Sequence, residues 1–294
     1  MMSTATIKEQ PKRKFKKGTI KHIIGHIIVL GVGLIMIYPL IWMFMSSFKE
    51  TDTIFQTAGE LLPRVWVIEN YINGWRGVSG VTFGTFFTNS TILAVGGTIG
   101  AVISSALVGY AFSRGRFAGR KILFALMLST LMLPAQVLMV PQFLWFLRLD
   151  WIGSYMPLIV PAFFAISGFF VYLITNFMDG IPRELDEAAK IDGCSFYGIF
   201  ARIILPLSVP ALITTSLFSF IWRWDDFMGP LIYVRGTANF PASLALRMFA
   251  DPAAATDWGA VFAMSILSLV PAVAIFIFLQ KYLVEGISTS GLKG

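Results

Sequence analysis

The chain of 294 residues is 56% apolar and only 13% charged, with a mean hydropathy of +0.74 and a net charge of +7. Soluble domains carry about a quarter charged residues, so this composition excludes a water-solvated globule and a disordered chain alike. A single cysteine, Cys194, excludes an intramolecular disulfide and a cysteine-cluster metal site, and two histidines are too few for zinc or di-iron chemistry.

A helix that crosses a bilayer needs about 20 apolar residues to cover roughly 30 Å of hydrocarbon. Six runs meet that length, at 23–45, 86–112, 122–147, 155–176, 203–222 and 260–280. Because the hydrocarbon offers no partners for loose backbone, each run is expected to be helical, giving an all-α integral membrane protein. The prolines within them (Pro39, Pro134, Pro141, Pro157, Pro161, Pro206, Pro210 and Pro271) predict kinks rather than breaks. Residues 1–22 form a basic segment, and 23–294 a single transmembrane domain.

The first span follows the basic run 12–17, but no small-residue cleavage site succeeds it and it is too long for a signal peptide. It reads as a retained helix. His22 and His26 stand one helical turn apart with no carboxylate near, a pattern that fits the membrane interface rather than a metal. The long segment 46–85 then separates spans one and two. Span two carries Gly97, Ala101, Ser105 and Gly109 at four-residue spacing, beside Gly96, Gly100 and Ser104, a ridge that lets another helix approach closely.

None of the six spans holds Asp, Glu, Lys or Arg in its interior. Ion-coupled transport generally needs such groups near the midplane, so coupling to an ion gradient is hard to build here. Asn89, Gln136, Gln142 and Ser167 are polar and neutral, and suit a water-lined route for a polyhydroxy solute. Interhelical hydrogen bonding is the commoner role of such residues. At the outer end of span five, Trp222, Arg223 and Trp224 precede Asp225 and Asp226. Trp224 would suit sugar stacking, although tryptophan at that depth more often anchors the interface.

Orientation follows from the loops. Segments on the amino-terminal side hold 16 Lys and Arg, against seven on the other side. Both termini are therefore expected in the cytoplasm. The inner segment 177–202 runs against this trend, with five acids and three bases. There Pro182 suits a first helical position and Gly193 a position just past a helix end. Glu184, Asp186 and Glu187 would lie where the helix dipole favours anions. Arg183 with Glu187, and Asp186 with Lys190, could pair at i,i+4. Ala188 and Ala189 leave a face without bulk, fit for a groove on another protein. A solvated amphipathic connector would show much the same pattern.

Glu187, Ala188 and Ala189, then three residues, Gly193, nine residues, and Ile203, Leu205 and Pro206, resemble the EAA loop of membrane subunits of binding-protein-dependent ATP-binding-cassette importers. The resemblance implies the type I importer architecture. The loop 181–206 would then be a coupling helix docked in a cleft of an ATPase subunit, with Glu184, Glu187, Ala188, Ala189, Asp192, Gly193 and Pro206 as coupling residues. Tyr110 to Arg114, Arg116, Phe117, Gly119 to Lys121, Pro182, Glu184, and Gly291 to Gly294 are similar to the carbohydrate-uptake branch of that family. Cys194 stands where alanine is commoner.

The family implies a homologous second permease, two ATPase copies and an extracytoplasmic solute-binding protein. ATP and Mg would sit on the ATPase subunits, since the chain has no G-x-x-x-x-G-K-[ST] loop and binds no cofactor of its own. No nucleic-acid partner is expected. The chain would be a transport subunit of the bacterial inner membrane rather than an enzyme, passing a di- or oligosaccharide. Pathway residues would be drawn from Asn89, Gln136, Gln142, Ser167 and Trp224, and the outer segment 235–259, notably 239–241 and 251–256, would meet the binding protein. Glycerol-3-phosphate or another small polar solute, an ion-coupled secondary transporter, and an enzyme acting on lipid-linked sugars are the alternatives.

Overall fold

A computed structural model describes residues 17–250 and 256–291. Most of the basic amino-terminal segment, residues 251–255 of the expected docking stretch and the last three residues of the terminal motif lie outside the described residues. The first helix, α1 (Lys17–Ser46), is apolar on every side and carries Pro39 without a break. Between Ile24 and Ser46 none of its most hydropathic window is buried, so its surface is left to lipid or to a partner. His26 Nδ1 lies 2.7 Å from the carbonyl oxygen of His22, one turn back, on the exposed start of this helix.

The segment 46–85 folds as a cap around the short helix α2 (Glu69–Arg76). Asn70 Nδ2 donates to the carbonyls of Ser47 and Lys49 at 2.8 Å, while the buried Lys49 donates to those of Thr57 and Glu60. Thr51 Oγ1 donates to Asp257 at 2.5 Å, fastening this cap to the start of the last helix.

The mast of the molecule is α3 (Phe83–Arg114), 32 residues long and roughly 48 Å by helical rise. Its small-residue ridge packs inside the chain. A Cβ at Gly100 would fall 2.6 Å from the Phe163 ring, one at Gly109 would meet Ile174 at 2.9 Å, and Ser104 donates to the carbonyl of Ala162 at 2.7 Å.

The third expected span is not one helix. It is α4 (Arg120–Thr130) and α5 (Ala135–Arg148), separated at 131–134. Pro134 takes an extended conformation (φ −61°, ψ 132°), and its ring, which has no N–H for a helical bond, also disfavours the helical region at the preceding Leu133. The expected kink is a break here. Pro39, Pro141 and Pro271 by contrast stay within their helices.

The fourth run is compound. It comprises α6 (Met156–Ile159), a 3-10 turn (Val160–Phe164), a left-handed Ala165, and α7 (Gly168–Asp179). Two short helices, α8 (Glu184–Ile191) and α9 (Phe196–Ile199), lead through a π-helical segment (Phe200–Ile204) and α10 (Leu205–Leu207) to α11 (Val209–Trp224). The stretch Phe196–Leu207 meets Val209–Trp224 at 73°, so the fifth expected span is bent rather than straight. Then come α12 (Met228–Tyr233), α13 (Ala242–Phe249) and α14 (Trp258–Gly291). Among the described residues, four helices are long and apolar enough to cross a membrane, or five with the bent pair counted as one.

Candidate coupling elbow and polar cavity

The elbow begins one turn after α7 ends. Helix α8 starts at Glu184 with Arg183 before it, so Pro182 precedes the helix instead of opening it. Glu184, Asp186 and Glu187 occupy the first turn, where they complement the helix dipole. At the far end the N–H of Gly193 donates to Lys190 O (3.0 Å) and that of Cys194 to Ala189 O (2.9 Å). That is the paired bonding of a Schellman cap. Gly193 sits at φ +81° with nothing within 4 Å of an added Cβ, so the need for glycine is conformational and not steric. Ser195 Oγ then accepts from Gly198 N and starts α9.

The inner face of the elbow is clamped to the last turns of α3. Asp186 forms an ion pair with Arg114, Oδ2 to Nε at 2.6 Å, with side chains only 9% and 4% exposed. Arg114 Nη2 also donates to Ile181 O at 2.7 Å, and Nη1 to Ser113 Oγ, which itself donates to Asp179 at 2.7 Å. One guanidinium thus joins the ends of α3 and α7 to the start of α8. Tyr110, one turn before Arg114, donates its hydroxyl to Phe196 O at 2.9 Å, and its ring lies between those of Phe196 and Phe200. Ala189 is buried beside Tyr110, Ile174, Met178 and Ile199.

The anticipated pairs Arg183–Glu187 and Asp186–Lys190 do not form. A surface i,i+4 pair is worth about 0.2–0.5 kcal/mol. The buried Arg114 takes Asp186 instead, and Arg183 donates to Ser113 O at 3.2 Å. The face without bulk is likewise divided, with Ala188 outward and Ala189 in the core. The outer face therefore presents Glu184, Leu185, Glu187, Ala188 and Asp192 around Ile191 at 87% and Tyr197 at 77% exposure. Pro206, exposed in α10, closes the elbow just before the 73° bend at Ser208.

A second feature is a cavity of about 430 Å³ among α5, α6, the end of α11 and α12. Gln136, Gln142, Arg223, Asp226 and Tyr233 supply its polar lining. Arg223 Nη1 donates to Leu158 O at 2.8 Å, and its guanidinium lies across Gly97, where any Cβ would collide with it. The exclusion of ionisable groups from the spans therefore fails at Arg223. Helix α11 runs on to Trp224, and Arg223 reaches into the bundle beside the middle of α3. Asp226 Oδ1 accepts from Gly229 N at 3.0 Å.

Gln136 and Gln142 thus line one cavity, while the other three residues expected along a pathway stand elsewhere. Asn89 spends both amide protons on the carbonyls of Ala238 and Phe240, at 2.8 and 3.0 Å. Ser167 is half-buried at the start of α7, outside the cavity lining. Trp224 is buried against Phe87 and Phe220, and its indole donates to Ser268 O at 2.8 Å, so it anchors the interior and not the interface. Sequence reasoning gave Arg114 no part in the elbow and Arg223 no place inside the bundle. The four-residue step from Tyr110 to Arg114, and the gap that Gly96, Gly97 and Gly100 leave for a filler, are the signals that point to them.

Residues 96–289 match the family described as binding-protein-dependent transport system inner membrane component. The chain belongs to that family. It is 34% identical over 290 residues to the probable ABC transporter permease protein YurM of Bacillus subtilis, covering 98% of this chain and 93% of that protein. It is 31% identical over 281 residues to the trehalose/maltose transport system permease protein MalG of Thermococcus litoralis, covering 95% and 99%. Among solved structures it matches a chain of a bacterial ABC transporter involved in the import of the acidic polysaccharide alginate. That match has a TM-score of 0.80 at 23% identity and covers 92% of this chain and 99% of that one, a likeness of fold. The permease is a multi-pass inner-membrane transport subunit of an ABC importer, not an enzyme, and ATP hydrolysis belongs to a separate subunit. Its membership implies an ATPase and a binding protein as partners.

Proposed function

We propose that the chain is one half of the translocation pathway of an ATP-driven carbohydrate importer, and that its elbow is the lever on which the ATPase acts. The observation that carries this reading is the contrast between the two faces of α8. One is locked to α3 through Arg114, while the other offers Glu184, Glu187, Ala188, Asp192 and the exposed Ile191 to a partner. A lever needs both a rigid attachment and a free contact face. The chain crosses the membrane six times in this reading, with the α4–α5 pair as the third crossing and both termini in the cytoplasm. It pairs with a homologous permease, two ATPase copies holding ATP and Mg, and an extracytoplasmic solute-binding protein.

The trehalose/maltose relative and the amides of Gln136 and Gln142, which line one cavity, favour a di- or oligosaccharide as solute. The neighbouring Arg223 supports a second reading, an anionic solute such as glycerol-3-phosphate, but Asp226 in the same cavity offsets its charge. The test is uptake into proteoliposomes that hold the permease, its homologous partner and the ATPase, supplied with binding protein and a labelled saccharide. Accumulation is expected only with ATP and hydrolysis. Accumulation without the ATPase, or accumulation abolished by collapsing an ion gradient, would overturn the importer reading, and accumulation of glycerol-3-phosphate in place of saccharide would overturn the choice of solute.

A further inference from the structure

A further cavity beside the elbow serves neither the lever nor the pathway in this reading. It encloses about 740 Å³ between the last turn of α3, the turn 115–119, the start of α4 and the end of α7. Arg116, Arg120 and Lys121 line it together with Phe112, Phe117 and Phe124, whose rings pack at centroid distances of 5.3 to 6.0 Å. Among the described residues no carboxylate forms an ion pair with any of the three bases. Asp179 also lines the cavity, but it accepts from Ser113 and lies 4.0 Å from Arg114. Arg120 makes only a long contact, 3.5 Å, to Ser113 O. No side chain caps α4, whose first turn adds the positive end of a helix dipole to the same mouth.

The apolar surface continues from this mouth along α4. Ile122 and Leu126 stand one turn apart, 67% and 57% exposed. Cations above and an open apolar track below match the two chemistries of one ligand, an anionic headgroup with its acyl chain. A free phosphate would need only the cations. An acidic protein surface would leave the track unused.

We propose that this cavity binds the phosphate headgroup of an anionic glycerophospholipid from the leaflet on the basic side, with an acyl chain along Ile122 and Leu126. Basic clusters beside membrane helices gain affinity for anionic lipid with each charge, about fivefold per Lys or Arg. The proposal does not depend on which solute the permease carries.

The test uses the full-length chain purified in detergent and exchanged into nanodiscs, with bound lipid counted by native mass spectrometry. Phosphatidylglycerol is expected to be retained over phosphatidylcholine, and R120Q/K121Q should lower that preference about 25-fold. R120K/K121R should restore it, and R148Q, which removes a base elsewhere, should leave it unchanged. Equal retention of the two lipids, or a preference unaltered in R120Q/K121Q, would overturn the proposal. Displacement of the lipid by millimolar inorganic phosphate would reassign the cavity to a free anion. Loss of ATPase co-purification when R120Q/K121Q is placed in the assembled transporter, with phosphatidylglycerol retention by the chain intact, would reassign it to a protein partner.

Discussion

Replacing Arg114 with glutamine removes the cation that joins α3 to the elbow while keeping a polar, though shorter, side chain. Asp186 would then stay buried without its partner, and one of its oxygens, Oδ1, already lacks a hydrogen-bond partner. Breaking a buried ion pair from one side costs about 3–5 kcal/mol, and the lost bond to Ile181 O adds about 1 kcal/mol. The remaining hold on α8 is the burial of Ala189 and the Arg183 contact to Ser113 O. About 4 kcal/mol of local destabilisation corresponds to roughly a thousandfold rise in opening of the elbow, since each 1.4 kcal/mol is tenfold. Hydrogen exchange of the amides of residues 186–194 in the purified permease would read this directly. Transport should fall while ATPase activity persists, because the lever slips instead of disappearing. R114M/D186L, an apolar replacement of both partners, should recover much of the protection, since a buried pair is often no more stabilising than well-packed apolar side chains. Wild-type exchange and wild-type uptake in R114Q would refute the clamp.

Gly193→Ala should cost about 1–2 kcal/mol, because the left-handed conformation and not lack of room is what disfavours a side chain there; Gly193→Asn should cost less, and thermal unfolding ranks the two. Gly97→Ala should push Arg223 out of its seat and cost about 1–3 kcal/mol, with much of the loss recovered in G97A/R223Q, again read by thermal unfolding. Asn89→Ala orphans two carbonyls that fix the 238–240 segment, so about 1–3 kcal/mol of stability should go with little change in the apparent KM for uptake. Gln142→Leu, in the cavity lining, should raise that KM with little change in melting temperature.

Helical class, the acidic elbow and its glycine stop were legible in the sequence because each is a local pattern. Apolar run length, Glu184 to Glu187 in a first turn, and a glycine at a helix end are all decided within a few residues. The long-range choices were not legible. Nothing local ranks Arg114, 72 positions away, above Lys190 as the partner of Asp186, because that ranking depends on burial that only the packed helices create. Proline placement alone did not separate Pro134, which breaks a span, from Pro141, which its helix absorbs. Arg223 looked like a base at an outer helix end. Its inward course follows from α11 running two residues past the expected boundary and from the space at Gly97. Asn89 illustrates the reverse error, a polar group that suits a water-lined route yet serves to hold backbone.

The claim that the elbow is a lever for a nucleotide-driven partner is tested most directly by cross-linking from Ala188. A single cysteine placed there in a Cys194→Ser background would carry a short photo-activated probe, with the assembled transporter in native-like membrane. The account predicts a cross-link to the ATPase subunit whose yield changes between ATP-bound and nucleotide-free states. A probe at Ala188 that labels only lipid or this chain, in a transporter that still imports with ATP, would contradict it.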